Sequence, residues 1–164
     1  MKSLIISTAL LVFSAFSLAE LAEPKGDVIL EVSGNIQVTN GDDVAEFDRD
    51  MLNDIKRRTI ITNNHVVKEP VKYEGPILAE ILKAVKGTGS VVRVYALDDY
   101  VAELKFKDVE KYQIILATHE AGKQLTVADK GPLFVVFPFK DHPELQQDIY
   151  YNQSVWQVKS VEIE

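Results

Sequence analysis

No cysteine occurs among the 164 residues of this chain. That absence removes disulfides as a source of stability and leaves no thiolate for a soft metal. It also rules out the lipid attachment of bacterial lipoproteins, which needs a cysteine after the leader. Basic residues are scarce as well: 18 Lys and Arg face 25 Asp and Glu, a formal charge of −7. So acidic a surface repels phosphate backbones and anionic lipid, which excludes nucleic acid and membrane surfaces as partners. The 3 histidines, His65, His119 and His142, lie far apart and lack the spacing of a zinc site, so each reads as a surface or turn residue. GxSxG and P-loop motifs are missing, and Gly87-Thr88-Gly89 reads as a helix stop and a turn rather than a dinucleotide fingerprint. Nothing here supports a nucleophilic enzyme.

The long apolar run is also short of a membrane span. Leu4 to Leu18 covers 15 residues after the positive start Met1-Lys2, against roughly 20 for a bilayer-crossing helix. Ser17-Leu18-Ala19 closes it as a small-x-small cleavage site, so residues 1–19 read as a secretory signal peptide. The product, residues 20–164, is expected in the periplasm as a single domain with no membrane insertion after cleavage. Without Lys2 its 17 basic residues face 25 acidic ones, a charge of −8. About 145 residues can bury roughly two-thirds of their unfolded surface, so the domain needs no disulfide.

What is present is mostly strand. VILEVSG and NIQVTN read as short strands around Gly34, followed by an Asn40-Gly41 turn. Asp48 looks like the cap of a short helix from Arg49 to Ile55, with Asp50 in its first turn. The carboxylates Asp42, Asp43, Glu46, Asp48, Asp50 and Asp54 lack EF-hand spacing and read as a solvated acidic face. Pro76 to Lys86 is the clearest helix, with Ile77, Leu78, Ile81, Leu82 and Val85 on one face and Gly87 as its stop. VVRVYA, YVAELKF, QIILAT, LFVVF and VWQVKSVEI follow as strands. The apolar runs Ile114–Ala117 and Leu133–Phe137 suit strands covered on both faces. The apolar phase switches between Val158 and Val161, which predicts a bulge. The expectation is an α+β domain, strand-rich, with one main helix and a few short ones.

The ordered series YEGPILAEIL, VYALDDYVAEL, YQIILAT, GPLFVVFP and SVWQVKSVEI resembles the oxidoreductase molybdopterin-binding domain family, which has the sulfite-oxidase-type fold. The match runs from about Val28 to Ile163. The resemblance implies a mixed β domain, a molybdenum pterin as cofactor, and a metal-ligating cysteine about a dozen residues before the aromatic-x-Gly of the first block. That place falls on Asn63, a neutral amide, so the resemblance implies the fold while the chain lacks the ligand. Arg57, Arg58 and Arg93 are the arginines near the matching segments, open to a pterin-phosphate role or to simple solvation.

The resemblance brings two loops to the cofactor side. The first is Thr62-Asn63-Asn64-His65, four polar side chains after an apolar strand, suited to a polar ligand or to an ordinary turn. The second is Asp98-Asp99-Tyr100, where many relatives carry a polar-Gly-Tyr or Asn-Asp-Tyr turn; a structural hairpin is the alternative. Tyr100 and Trp156 would give a ligand flat amphipathic walls, or serve as core aromatics. Asp99, taken as an unpaired carboxylate, would favour a cationic or amine-bearing ligand.

The expected function is a non-catalytic periplasmic binding module for a small-molecule ligand or a membrane-bound, periplasm-facing partner protein. No cofactor is expected. A molybdopterin-dependent oxidoreductase with atypical cofactor binding is the alternative, and a structural envelope protein without ligand is a third possibility.

Overall fold

A computed structural model describes residues 21–64 and 67–164. The expected signal peptide and His65 fall outside the described residues.

Strand β1 (Val28–Gly34) leads by way of an irregular segment to β2 (Ala45–Asp48). NIQVTN, expected as a strand, is that irregular segment. Gly34 turns the chain at φ 85°. The backbone N–H groups of Gln37 and Val38 then donate to the Val85 carbonyl, so this stretch satisfies a helix end instead of joining a ladder. Asn40 does make the expected turn, its amide bridging Glu46 N–H and the Ala22 and Glu46 carbonyls.

Helix α1 (Arg49–Asp54) starts where expected, because the Asp48 carboxylate accepts from Met51 N–H at 2.9 Å. Asp48 also accepts from Lys25 and Gly26 N–H, at 2.7 and 2.9 Å, and is only 4% exposed. It therefore does not belong to a solvated acidic face; it pins the N-terminal segment to the helix start, and those three donors hold its pKa below the ordinary carboxylate value.

Strands β3 (Arg57–Thr62) and β4 (Val71–Pro76) pair antiparallel. Helix α2 (Leu78–Ala84) is shorter than the apolar pattern suggested. Its first turn is lost because Pro76 belongs to β4, paired with Arg57, and Ile77 is still extended at ψ 122°. Its last is lost because Lys86 sits at φ 50°. Strands β5 (Val91–Ala96) and β6 (Val101–Lys105) form a hairpin, and α3 (Phe106–Tyr112) follows at once, burying Val109 and Tyr112. After β7 (Ile115–Ala117) come the two-residue strands β8 (His119–Glu120) and β9 (Lys123–Gln124), joined through Ala121 and Gly122 at φ 50° and 79°. Positive φ at both central residues fits a type I′ hairpin turn. Strand β10 (Phe134–Val136), a 3-10 turn (Pro143–Leu145), α4 (Asp148–Asn152) and β11 (Val158–Ile163) complete the chain.

The larger sheet has order β2-β1-β11-β5-β6, parallel only between β1 and β11. The smaller one has order β3-β4-β8-β9. The predicted bulge is present: the β11–β5 register shifts between Val158 and Ser160.

Between the sheets runs the two-stranded ribbon β7–β10, every residue of it buried. Its side chains alternate, as strand geometry requires. Leu116 and Val135 enter the larger core, while Ile115, Ala117, Phe134 and Val136 enter a smaller one with Ile60, Tyr73 and Leu125. Strand β4 crosses this ribbon at Gly75. A Cβ there would lie 2.0 Å from the Leu116 carbonyl oxygen, so the glycine of the aromatic-x-Gly block is a packing requirement.

Candidate functional site

Several connections converge at the end of the larger sheet where β5 turns into β6. The hairpin loop Leu97–Asp99 is closed by Ala96 N–H to the Tyr100 carbonyl at 2.9 Å and by Asp99 N–H to the Ala96 carbonyl at 3.2 Å. Asp98 accepts from Tyr100 N–H at 3.1 Å, an Asx-type turn. Asp99 takes the left-handed conformation, φ 66°, that ends three-residue hairpin loops and that glycine usually fills. That geometry sends the two adjacent aspartates in different directions. Asp98 lines an open depression of about 590 Å³, with Asn64, Tyr100, Asp129 and Trp156. Asp99 lies outside it and pairs with Lys159 at 2.8 Å.

The expectation that Asp99 is unpaired and attracts a cation is therefore corrected. Lys159 already neutralises it and lowers its pKa through a hydrogen bond and charge attraction. The carboxylates facing the depression are Asp98 and Asp129, and among the described residues no basic side chain lines it. Nothing in the chain order flagged Asp129, which arrives on the loop before the Gly131-Pro132 turn.

The first polar segment divides in the same way. Thr62 is buried; its Oγ1 accepts from Lys140 N–H at 3.2 Å and donates to the Asn63 carbonyl at 3.1 Å, so it joins two loops and faces no cavity. Asn63 is half-buried and does not line the depression. Asn64 does, held by a turn in which its Oδ1 accepts from Val67 N–H at 2.6 Å.

Both aromatics are surface walls rather than core residues: Tyr100 is 47% and Trp156 44% exposed. The Tyr100 hydroxyl donates to the Asn152 carbonyl at 2.9 Å. Trp156 stands edge-on to Phe134 of the smaller core, ring centroids 6.1 Å apart, and that contact fixes the indole plane from behind.

Trp156 and Asp129 are shared with a second depression of about 420 Å³, which Glu120, Lys123 and Lys130 also line. There Lys130 Nζ pairs with Glu120 at 2.5 Å and lies 5.8 Å from the indole centroid. The Tyr73 hydroxyl approaches the other Glu120 oxygen at 3.4 Å, and burial, with the neighbouring Glu120 charge, raises the Tyr73 pKa.

The residues present do not fit a molybdenum pterin. Asn63 stands where the resemblance puts a thiolate, and an amide is no substitute for anionic sulfur. The three arginines are partly exposed, and each already has partners within the chain. Arg57 donates to Asn53 and Thr118 at 2.8 and 2.9 Å, Arg58 to the Tyr112 and Gln113 carbonyls at 3.0 and 3.2 Å, and Arg93 pairs with Glu103 and Glu164. Among the described residues, no group of three or more His, Asp or Glu side chains could hold a metal ion, and no helix is long and apolar enough to cross a membrane.

No family model and no curated protein sequence matches the chain. Among solved structures it is similar to the sulfane dehydrogenase SoxCD from Paracoccus pantotrophus, with a TM-score of 0.61 and 15% identity. That match takes in 88% of this chain but 40% of the other, so the likeness is one of fold and spans less than half of the larger protein. The strand-rich α+β architecture expected from the sequence is thus one the chain shares with part of that larger protein.

Proposed function

We propose that this chain is a non-catalytic binding module, exported to the periplasm, that uses the depression between Asn64, Asp98, Tyr100 and Trp156 to hold a small ligand bearing an amine or another cationic group. One observation carries this reading: two carboxylates and two exposed aromatic walls line the depression, and no basic side chain among the described residues does. Opposite charge is attracted into such a cleft and like charge excluded, while a Trp or Tyr face adds cation–π attraction. A few converging polar groups beside apolar walls are the usual make-up of small-molecule sites. The missing thiolate argues against chemistry on a molybdenum pterin, and so for binding without turnover. Residues 1–19 supply the export signal, and the exported chain should have the mass of residues 20–164.

Trp156 is the single tryptophan of the chain, so its emission reports on this site alone. The test is a fluorescence titration of residues 20–164 with butylamine, putrescine and spermidine, on the parent and on Asp98→Asn. Saturable change in the parent, weakened about fivefold in the variant, is expected for a partly exposed charge contact of roughly 1 kcal/mol. Emission unmoved by every amine, or binding untouched by Asp98→Asn, would overturn the reading.

A further inference from the structure

We infer that the ligand is zwitterionic and that the second depression, across Trp156 from the first, takes its anionic end. This rests on the reading of the first depression as a cation site and adds an anion subsite to it. The two cavities share Trp156 and Asp129, so a ligand seated in one meets the other across the indole.

Their hydrogen-bonding groups differ in what is already committed. In the second cavity the Glu120 carboxylate is used from within, one oxygen by Lys130 and the other approached by Tyr73. Asp129 accepts from Thr126 Oγ1 at 2.9 Å on one of its two oxygens. Lys130 gives one N–H to Glu120 and keeps two others, since an ammonium carries three. Lys123 is exposed and makes no ion pair with any described residue. Donors from two ammonium groups thus remain on that side, whereas the first cavity offers the Asp98 and Asp129 carboxylates and, among the described residues, no cation. The fixed indole between them gives a flat apolar surface for the part of the ligand joining its charged ends. An amine, an apolar or peptide middle and a carboxylate in one extended molecule is the chemistry of a short peptide with free termini.

The test follows Trp156 emission with three probes: the tripeptide Ala-Leu-Ala, its C-terminal amide, and its N-acetyl form. The free tripeptide should bind about fivefold tighter than the amide, the contribution expected of one partly screened charge contact. The N-acetyl form should be weaker than either. Lys130→Gln should erase the advantage of the free tripeptide over the amide. Because that change also leaves Glu120 without its partner, Lys123→Gln, on an exposed unpaired side chain, is measured beside it and should reduce the same ratio. Equal affinity for tripeptide and amide in the parent would overturn the anion subsite while leaving the cation site standing, and so would a ratio that neither lysine variant moves. If neither the free tripeptide nor the amide binds, both readings fall together.

Discussion

The Tyr100 hydroxyl reaches across from the β5–β6 hairpin and donates to the Asn152 carbonyl at 2.9 Å, at the end of α4. One wall of the depression is thereby tied to the segment that leads into Trp156, with Ser154, Val155 and Trp156 lining the same cavity. Removing the hydroxyl alone, in Tyr100→Phe, keeps the ring and frees the tie. Stability should fall by about 0.5–1 kcal/mol, as for a single partly exposed hydrogen bond. Amide exchange should quicken at Asn152–Trp156. Unchanged exchange there would show that the tie does not hold the wall.

Asp48 gives a pH dependence with a definite sign. Three backbone donors stabilise its ionised form in the folded chain, so its folded pKa lies below the ordinary value of 3.8. A carboxylate so shifted contributes stability that is present above the unfolded pKa and disappears as pH falls through the folded one. The melting temperature of Asp48→Asn should therefore lie below that of the parent at pH 7, and the gap should close as pH is lowered past about 3.8. A gap independent of pH would mean that shape, not charge, sets the role of Asp48.

Much of the fold could be read from the chain. The strands β1, β5, β6 and β11, the capped helix after Asp48 and the bulge near Ser160 each follow from local patterns that tertiary structure left intact. The site was legible only in part, and the reason is visible at Asp98 and Asp99. The two are chemically identical neighbours, and which one faces the depression depends on the left-handed backbone at Asp99, not on composition. Thr62 looked like a ligand group because a hydroxyl in a polar run gives no sign of being turned inward to Lys140. Hairpin β8–β9, which brings Glu120 and Lys123 to the second cavity, has two residues per strand, too few to show any period.

Gly75→Ala tests the close crossing of β4 over the ribbon. Its Cβ would fall 2.0 Å from the Leu116 carbonyl and 2.7 Å from Ala117 Cα, both backbone atoms that cannot rotate away. Chemical denaturation should show a loss of roughly 2–4 kcal/mol, in the range of overpacked cores. A loss under about 0.5 kcal/mol would mean that the strands can separate at little cost.

Protein purified from its native compartment should contain no stoichiometric molybdenum, because neither Asn63 nor any other residue supplies a soft anionic donor. Elemental analysis by mass spectrometry decides the matter. One molybdenum per chain would restore the oxidoreductase alternative.

The buried ribbon β7–β10 has a consequence for how the molecule comes apart. Since Leu116 belongs to one core and Ile115 to the other, a single strand is the party wall of both. Neither half can melt without stripping one side of that wall, so the two cores should unfold as a single cooperative unit. Ile115→Ala and Leu116→Ala, one residue apart and facing opposite ways, should each cost about 2–5 kcal/mol and shift one common transition. A separate early transition in Ile115→Ala alone would show the smaller core to be an independently melting annex, and the site around Trp156, anchored by Phe134 of that core, would then open before the rest of the protein.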